Sequence, residues 1–161
     1  MKNIKYLTII FFIIFIISFI IILIIFKQQT TVQTASEIKL LEIEKVCIKE
    51  NCFNVQVAET DLEREKGLMN VEYLDKNSGM LFIFPETGKY NFWMKNTLIP
   101  LDIIWIDSNN TIVEIKDNFQ PCKEEDCEIY YSKANALYVL EINGNLSNKY
   151  NINIGEKIIF Y

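Results

Sequence analysis

The pattern of apolar and polar residues divides the chain into three parts. Residues 6–26 form an apolar run in which Thr8 and Ser18 are the polar breaks. Roughly 20 helical residues cross a hydrocarbon core of about 30 Å, so this run predicts one transmembrane helix and residues 1–27 a membrane anchor. Residues 28–37 are polar and aperiodic, which predicts a flexible spacer. From residue 38 to the end, apolar and polar residues alternate as in β-strands.

The alternating region predicts a mainly β domain over residues 38–161. A Thr60-Asp61-Leu62-Glu63 capping box begins a short helix that should stop at Gly67, and residues 145–150 predict one or two further helical turns. About seven or eight short strands joined by tight turns predict a sandwich or barrel rather than a sheet of βαβ units. The expected strands lie within residues 38–48, 52–58, 80–84, 90–94, 101–107, 111–117, 137–143 and 157–161.

Charges around the apolar run predict the orientation of the chain. Lys2 and Lys5 precede the run and only Lys27 follows it closely, so the N-terminus is expected in the cytoplasm and the β domain outside, on a single-pass anchor in the cell membrane. A cleaved signal peptide is the alternative, but its apolar region would span about 7–15 residues and end at a small-residue exit site. Residues 27–30 provide no such site.

The acidic balance limits the partners of the domain. All 21 acidic residues follow the apolar run, and residues 28–161 hold 13 lysines and arginines. A net negative surface argues against nucleic acid as a partner.

Four cysteines form two C-x₄-C pairs, Cys47 with Cys52 and Cys122 with Cys127. Outside the cytoplasm such pairs favour disulfides over a zinc site, which would use closely spaced soft ligands. A two-residue turn at residues 49–50 would place Cys47 opposite Cys52, at a spacing that suits a bridge. Bonding within each pair or between the pairs stays open at this stage.

The absence of histidine removes several kinds of chemistry. Ser-His-Asp and Cys-His mechanisms and histidine-based metal sites are excluded, and there is no glycine-rich phosphate loop. The acidic residues 124–126 lack the spacing of a calcium loop and predict a solvated surface. No metal or cofactor is therefore expected.

Two carboxylates stand out because alternation places them on apolar strand faces. Asp102 shares a face with Ile104 and Ile106, and Glu141 shares one with Val139. A carboxylate there needs a partner, or its pKa rises. With Trp93 as a platform, these groups predict a cleft for a small polar ligand, and the alternative is a buried polar network that fixes the loop after Met94. The candidate ligand-binding residues are Trp93, Lys95, Asn96, Thr97, Asp102 and Glu141.

Several sequence blocks resemble the domain of unknown function 192 family. They are Gly67-Leu68-Met69, residues 79–84, residues 91–102, Gln120-Pro121-Cys122 and residues 139–143, in the family's order and covering about Phe53 to the C-terminus. The resemblance implies a compact, mostly β prokaryotic domain, often exported, without a settled activity. Matching family positions are Gly67, Met69, Met80, Phe84, Trp93, Met94, Lys95, Asn96, Thr97, Pro100, Asp102, Pro121 and Glu141, whereas Asn143-Gly144-Asn145 and the Cys47/Cys52 pair depart from the usual pattern.

Three functions fit these observations. The first is a binding or accessory module for a small polar ligand or a cell-envelope component. The second is a carboxylate-dependent hydrolase of an envelope substrate, with Asp102 or Glu141 as general acid or base. The third is a purely structural envelope protein. Specific catalytic residues are not assigned by the sequence.

Overall fold

The structure, a computed structural model, describes residues 15–25, 27, 43–123 and 125–161. The chain forms two compact units, Met1–Glu42 and Ile43–Tyr161. In the first unit residues 15–25 are helical (α1), and the described part of the chain contains no helix long and apolar enough to cross a membrane. Residues 6–14 and 26 of the predicted membrane span, and the whole predicted spacer 28–37, lie outside the described residues.

The second unit is built from nine strands and two short helices. Seven strands form one sheet in the order β6-β5-β8-β3-β2-β1-β9, and β4 and β7 form a separate two-stranded sheet. The elements are β1 Lys45–Ile48, β2 Asn51–Ala58, α2 Asp61–Lys66, β3 Ser78–Gly88, β4 Phe92–Trp93, β5 Leu101–Ile106, β6 Ile112–Phe119, β7 Ile129–Tyr130, β8 Ala136–Asn143, α3 Leu146–Lys149 and β9 Ile158–Phe160.

The large sheet curls until its two edge strands meet at one end. Thr111, just before β6, bridges Lys157, just before β9. The amide of Ile112 donates to the carbonyl of Glu156 at 2.9 Å, so the edges share backbone hydrogen bonds. The result is a half-barrel, which confirms the mainly β, barrel-like prediction. The ninth strand is β7, which lies outside the eight expected strands.

One pair of neighbouring strands forms a βαβ unit, which the sequence pattern did not predict. β2 and β3 are parallel, and α2 connects them. The predicted capping box of α2 is present, since the Thr60 hydroxyl accepts from the Glu63 amide at 3.3 Å and the Glu63 carboxylate accepts from the Thr60 amide at 2.9 Å. Gly67 ends the helix at a φ of +45°, as predicted, because glycine adopts this conformation without steric cost.

Both cysteine pairs form local disulfides. In the β1–β2 hairpin Cys47 and Cys52 are direct cross-strand partners, with a Cα–Cα distance of 4.0 Å. Cys122 bonds to Cys127, with a Cα–Cα distance of 5.9 Å. The predicted preference for disulfides is confirmed, and bonding within each pair settles the connectivity.

The sheet carries a core on each face, because successive side chains of a strand point to opposite sides. One core holds Ile104 and Ile106 of β5 together with residues from both sheet edges, such as Ile112 and Ile158, and therefore lies inside the curl. The other holds Leu101, Ile103, Trp105, Phe82 and Met94. The small β4–β7 sheet and the segment after α2 cover this second core.

Candidate ligand-binding site

Asp102 is fully buried and accepts four hydrogen bonds. Its Oδ1 accepts from the backbone amides of Asn118, at 2.7 Å, and Asn145, at 2.9 Å. Its Oδ2 accepts from the amide of Ser147, at 2.6 Å, and from the Ser147 hydroxyl, at 2.7 Å. The carboxylate therefore joins β5 to the end of β6 and to the turn that begins α3. This is the geometry of a structural polar network.

Asp102 and Glu141 lie on opposite faces of the sheet. In the β5–β8 pairing Asp102 is opposite Ile142, whereas Ile103 is opposite Glu141. Directly opposed residues point to the same face, so the two carboxyl groups point away from each other. The structure therefore does not bring them into the predicted common cleft. The oxygens of Asp102 instead accept from backbone amides and the Ser147 hydroxyl.

Glu141 is an acid in an apolar position of a central strand. It is opposite Met80 of β3 and Ile103 of β5, and only 4% of the residue is exposed. Its Oε2 atom is buried and has no hydrogen-bond partner among the described residues. Burial raises the pKa of this carboxyl to about 8, so at neutral pH it is mostly protonated.

A small half-open cavity of about 30 Å³ reaches Glu141. This volume exceeds the roughly 10–15 Å³ that one water molecule needs. Because the cavity also opens to solvent, one end of a small polar molecule can enter it. We call it the Glu141 cavity. It is lined by residues 64–69, Phe82, Phe92, Trp93, Thr97 and Glu141.

Close packing of the strands positions Glu141 at this cavity. A Cβ atom on Gly79 would lie 2.5 Å from the backbone oxygen of Glu141. No side chain fits at that distance, so glycine at residue 79 lets β3 approach β8 closely beside the acid.

Residues of β4 and of the segment that follows it line one side of the Glu141 cavity. Trp93 is 40% exposed, and the Lys95 ammonium lies 5.1 Å from its ring centroid. Thr97 is buried and lines the cavity with Trp93 and Glu141. Asn96 points outward with a φ of +55°, and its carbonyl accepts from the Asn70 amide at 2.8 Å. The structure thus brings Trp93, Thr97 and Glu141 together, places Lys95 beside them, and gives Asn96 a position in a turn.

Backbone hydrogen bonds connect the second disulfide, Cys122–Cys127, to the segment that follows β4. The Cys122 amide donates to the Met94 carbonyl at 3.1 Å, and the Asn96 amide donates to the Cys122 carbonyl at 2.9 Å. Beyond Cys127 the chain enters β7, where Ile129 is the cross-strand partner of Trp93. The disulfide loop therefore holds the Trp93 segment from two points.

Sequence reasoning missed the contribution of α2 to the cavity. Arg64, Glu65 and Lys66 line it, and none of them was among the candidate residues. Arg64 is held by an ion pair with Asp61 at 2.5 Å and donates to the carbonyl of Ile83 at 2.7 Å. The packing of α2 over β3 creates this contact, and no local sequence signal predicts it.

Glu114 is a further buried carboxylate that the pattern did not single out. It accepts from the amides of Lys133 and Ala134, the Tyr130 hydroxyl and the Ser132 hydroxyl. Burial alone would raise its pKa, but these hydrogen bonds outweigh burial and lower it. Both of its carboxylate oxygens accept hydrogen bonds from other groups of the domain, which indicates a structural role.

Two larger depressions, of about 370 and 380 Å³, lie on either side of Lys76 and Asn77. Both are open to solvent and lined mainly by exposed polar side chains. Neither contains a buried polar atom without a partner among the described residues. The chemistry of Glu141, rather than cavity size, therefore selects the candidate site.

Fold and site together define a small half-barrel domain in which Glu141, a buried acid without an ion-pair partner among the described residues, lies at a cavity between helix and sheet. The chain belongs to the DUF192 family, described as uncharacterized ACR, whose family model matches residues 44–160. The resemblance found in the sequence is confirmed.

Relatives and solved structures agree with this assignment. A UPF0127 protein of Thermococcus gammatolerans is 31% identical over 90 residues, 55% of this chain and 54% of that protein, so the match spans about half of the relative. A protein of unknown function from Novosphingobium aromaticivorans is 33% identical with a TM-score of 0.68, covering 73% of this chain and 84% of that one. A protein of Sinorhizobium meliloti described as a candidate transcription regulator is 32% identical with a TM-score of 0.66, covering 72% and 90%.

Proposed function

We propose that this chain is a binding module for a small polar ligand, and that the Glu141 cavity is its binding site. One observation carries the proposal. The buried Oε2 atom of Glu141 lacks a hydrogen-bond partner within the described residues, and Glu141 is one of the residues that line a cavity open to solvent. An unsatisfied buried polar atom costs about 1–3 kcal/mol. A ligand that hydrogen-bonds to it would recover this energy.

The same geometry argues against the two-carboxylate hydrolase. Catalytic carboxyl pairs flank one bond at about 5–10 Å across an open cleft. Asp102 and Glu141 occupy opposite faces of one sheet, and the oxygens of Asp102 are occupied. A purely structural role is also less well supported, because an apolar residue at position 141 would pack better against Met80 and Ile103.

Small probes test the proposed site directly. Acetamide, acetate, methylammonium and methanol would each be titrated into the isotope-labelled domain and followed by amide and indole NMR signals. At least one probe is expected to shift the signals of Thr97 and the Trp93 indole, because both line the cavity with Glu141. Remote Ile154, which is exposed, should not move.

Two variants serve as matched controls for the probe titration. Glu141→Leu should abolish the shifts, whereas Glu86→Gln, which changes an exposed carboxylate of β3, should retain them. The proposal fails if none of the four probes perturbs Thr97 or Trp93, or if Glu141→Leu responds as the unmodified domain does.

We further propose that residues 1–27 anchor the domain in the cell membrane with the domain outside. The support is the length of the apolar run and the lysines that precede it. In bacterial cells the full chain is expected in the membrane fraction, and protease added outside the membrane should digest residues 38–161. A chain that starts at residue 28 should be soluble. Recovery of the full chain in the soluble fraction, or full protection from protease, would contradict the anchor.

A further inference from the structure

Glu141 lines its cavity and forms no ion pair with a described residue. The described ion pairs are Lys49 with Glu156 and Arg64 with Asp61, so neither involves Glu141. Its two opposed strand neighbours, on β3 and β5, are apolar. Desolvation is the cause of its raised pKa. The acid is therefore available to a ligand in its neutral form at neutral pH.

A neutral carboxyl presents a donor and an acceptor on one edge. Its hydroxyl donates and its carbonyl oxygen accepts. A primary carboxamide presents the complementary pair, a carbonyl oxygen and the N–H on the same side, so the two groups can form two parallel hydrogen bonds. An ammonium group offers only donors and a carboxylate only acceptors. Either group would therefore form only one of the two hydrogen bonds that the neutral carboxyl offers.

The walls of the cavity fit a flat group. Phe82, Phe92 and Trp93 line it with their aromatic side chains. A planar amide can lie against such surfaces while its polar edge reaches the acid. Thr97 lines the same cavity, and a threonine hydroxyl can accept or donate one further hydrogen bond.

We infer that the Glu141 cavity recognises a primary carboxamide, held edge to edge by the Glu141 carboxyl and flanked by Trp93. This inference rests on the proposed function, and it names the chemical class of the ligand. The amide can come from the side chain of a peptide glutamine or asparagine, or from a free small molecule.

The affinity of the Glu141 cavity for a primary carboxamide should change with pH in a defined direction. The charged groups that line the cavity beside Glu141 are Arg64, Glu65 and Lys66 of α2, and Lys95 lies over Trp93 at its rim. Ionisation of Glu141 removes the donor, so amide affinity should fall as pH rises. An ammonium ligand would show the opposite trend.

The test is a titration of acetamide at pH 6, 7 and 9, followed by NMR. Affinity should be equal at pH 6 and 7 and about ten-fold weaker at pH 9, since the carboxyl is then mostly ionised. N-methylacetamide, which carries its methyl group on the edge that must donate, should bind about ten-fold more weakly than acetamide.

Two substitutions separate recognition from folding. Glu141→Gln keeps a donor and an acceptor on one edge, so it should bind acetamide at all three pH values with no pH dependence. Glu141→Leu should remove binding while the domain stays folded, as checked by circular dichroism. Loss of binding in Glu141→Gln together with retained folding would overturn the inference.

The same binding assay distinguishes the possible sources of the amide and tests the two proposals separately. Tighter binding of N-acetylglutamine methylamide than of acetamide supports a peptide source, and tighter binding of nicotinamide supports a small aromatic amide. If methylammonium or acetate binds and acetamide does not, the amide inference fails while the proposed site stands. If no probe binds, both fail.

Discussion

Asp102→Ala is expected to lower the free energy of unfolding by about 3–5 kcal/mol, because it removes the acceptor of four buried hydrogen bonds. Three of the donors are backbone amides that the fold cannot redirect. Small domains are stable by only about 5–15 kcal/mol, so the variant should be close to unfolding at room temperature. Urea denaturation with a tryptophan fluorescence readout measures the change.

Two variants calibrate this result. Ser147→Ala removes one donor to Asp102 and is expected to cost about 1 kcal/mol. Asp107→Ala removes a half-buried carboxylate that accepts from the amides of Asn109 and Thr111 in the β5–β6 turn, and should cost about 1 kcal/mol. A change for Asp102→Ala as small as that for Asp107→Ala would show that the network contributes little.

The second large effect is a loss of stability with rising pH that originates at Glu141. Its pKa is about 8 in the folded domain, against 4.5 when exposed. The folded state therefore holds a proton that the unfolded state releases. The stabilisation is complete below pH 4.5 and is lost progressively up to about pH 8, at about 1.4 kcal/mol per pH unit.

Glu141→Gln isolates this contribution, because glutamine has the same shape and does not titrate. Denaturation would be measured at pH 5, 6, 7 and 8 for both proteins. The stability of the unmodified domain should fall relative to the variant across this range by several kcal/mol. Parallel curves would show that Glu141 ionises in the folded state near its ordinary pKa.

Patterns local in sequence predicted the local structure well. The Thr60–Glu63 capping box, the stop at Gly67 and the register that opposes Cys47 to Cys52 each depend on residues within about seven positions of one another. Strand alternation also assigned Asp102 and Glu141 to buried positions, since the period of two is a property of the strand alone.

The partners of those buried acids could not be predicted in the same way. Asp102 receives its hydrogen bonds from residues up to 45 positions away, whose amides become donors only after β6 ends and α3 begins. The cavity at Glu141 requires α2, β4 and β8, which are distant in sequence and meet only on the folded sheet.

The sequence by itself determined the family, the mainly β class, the four disulfide-forming cysteines and the burial of two carboxyl groups, because composition, short-range spacing and alternation specify these properties. The tertiary structure decided which of the two acids has hydrogen-bond partners for its oxygens and which has a buried oxygen without one. Strand order places Asp102 inside the curl beneath a cluster of amides, and it places Glu141 on the other face, between apolar neighbours and next to a cavity. That difference arises from pairings between strands that are distant in sequence, so it cannot be predicted from any one segment of the chain.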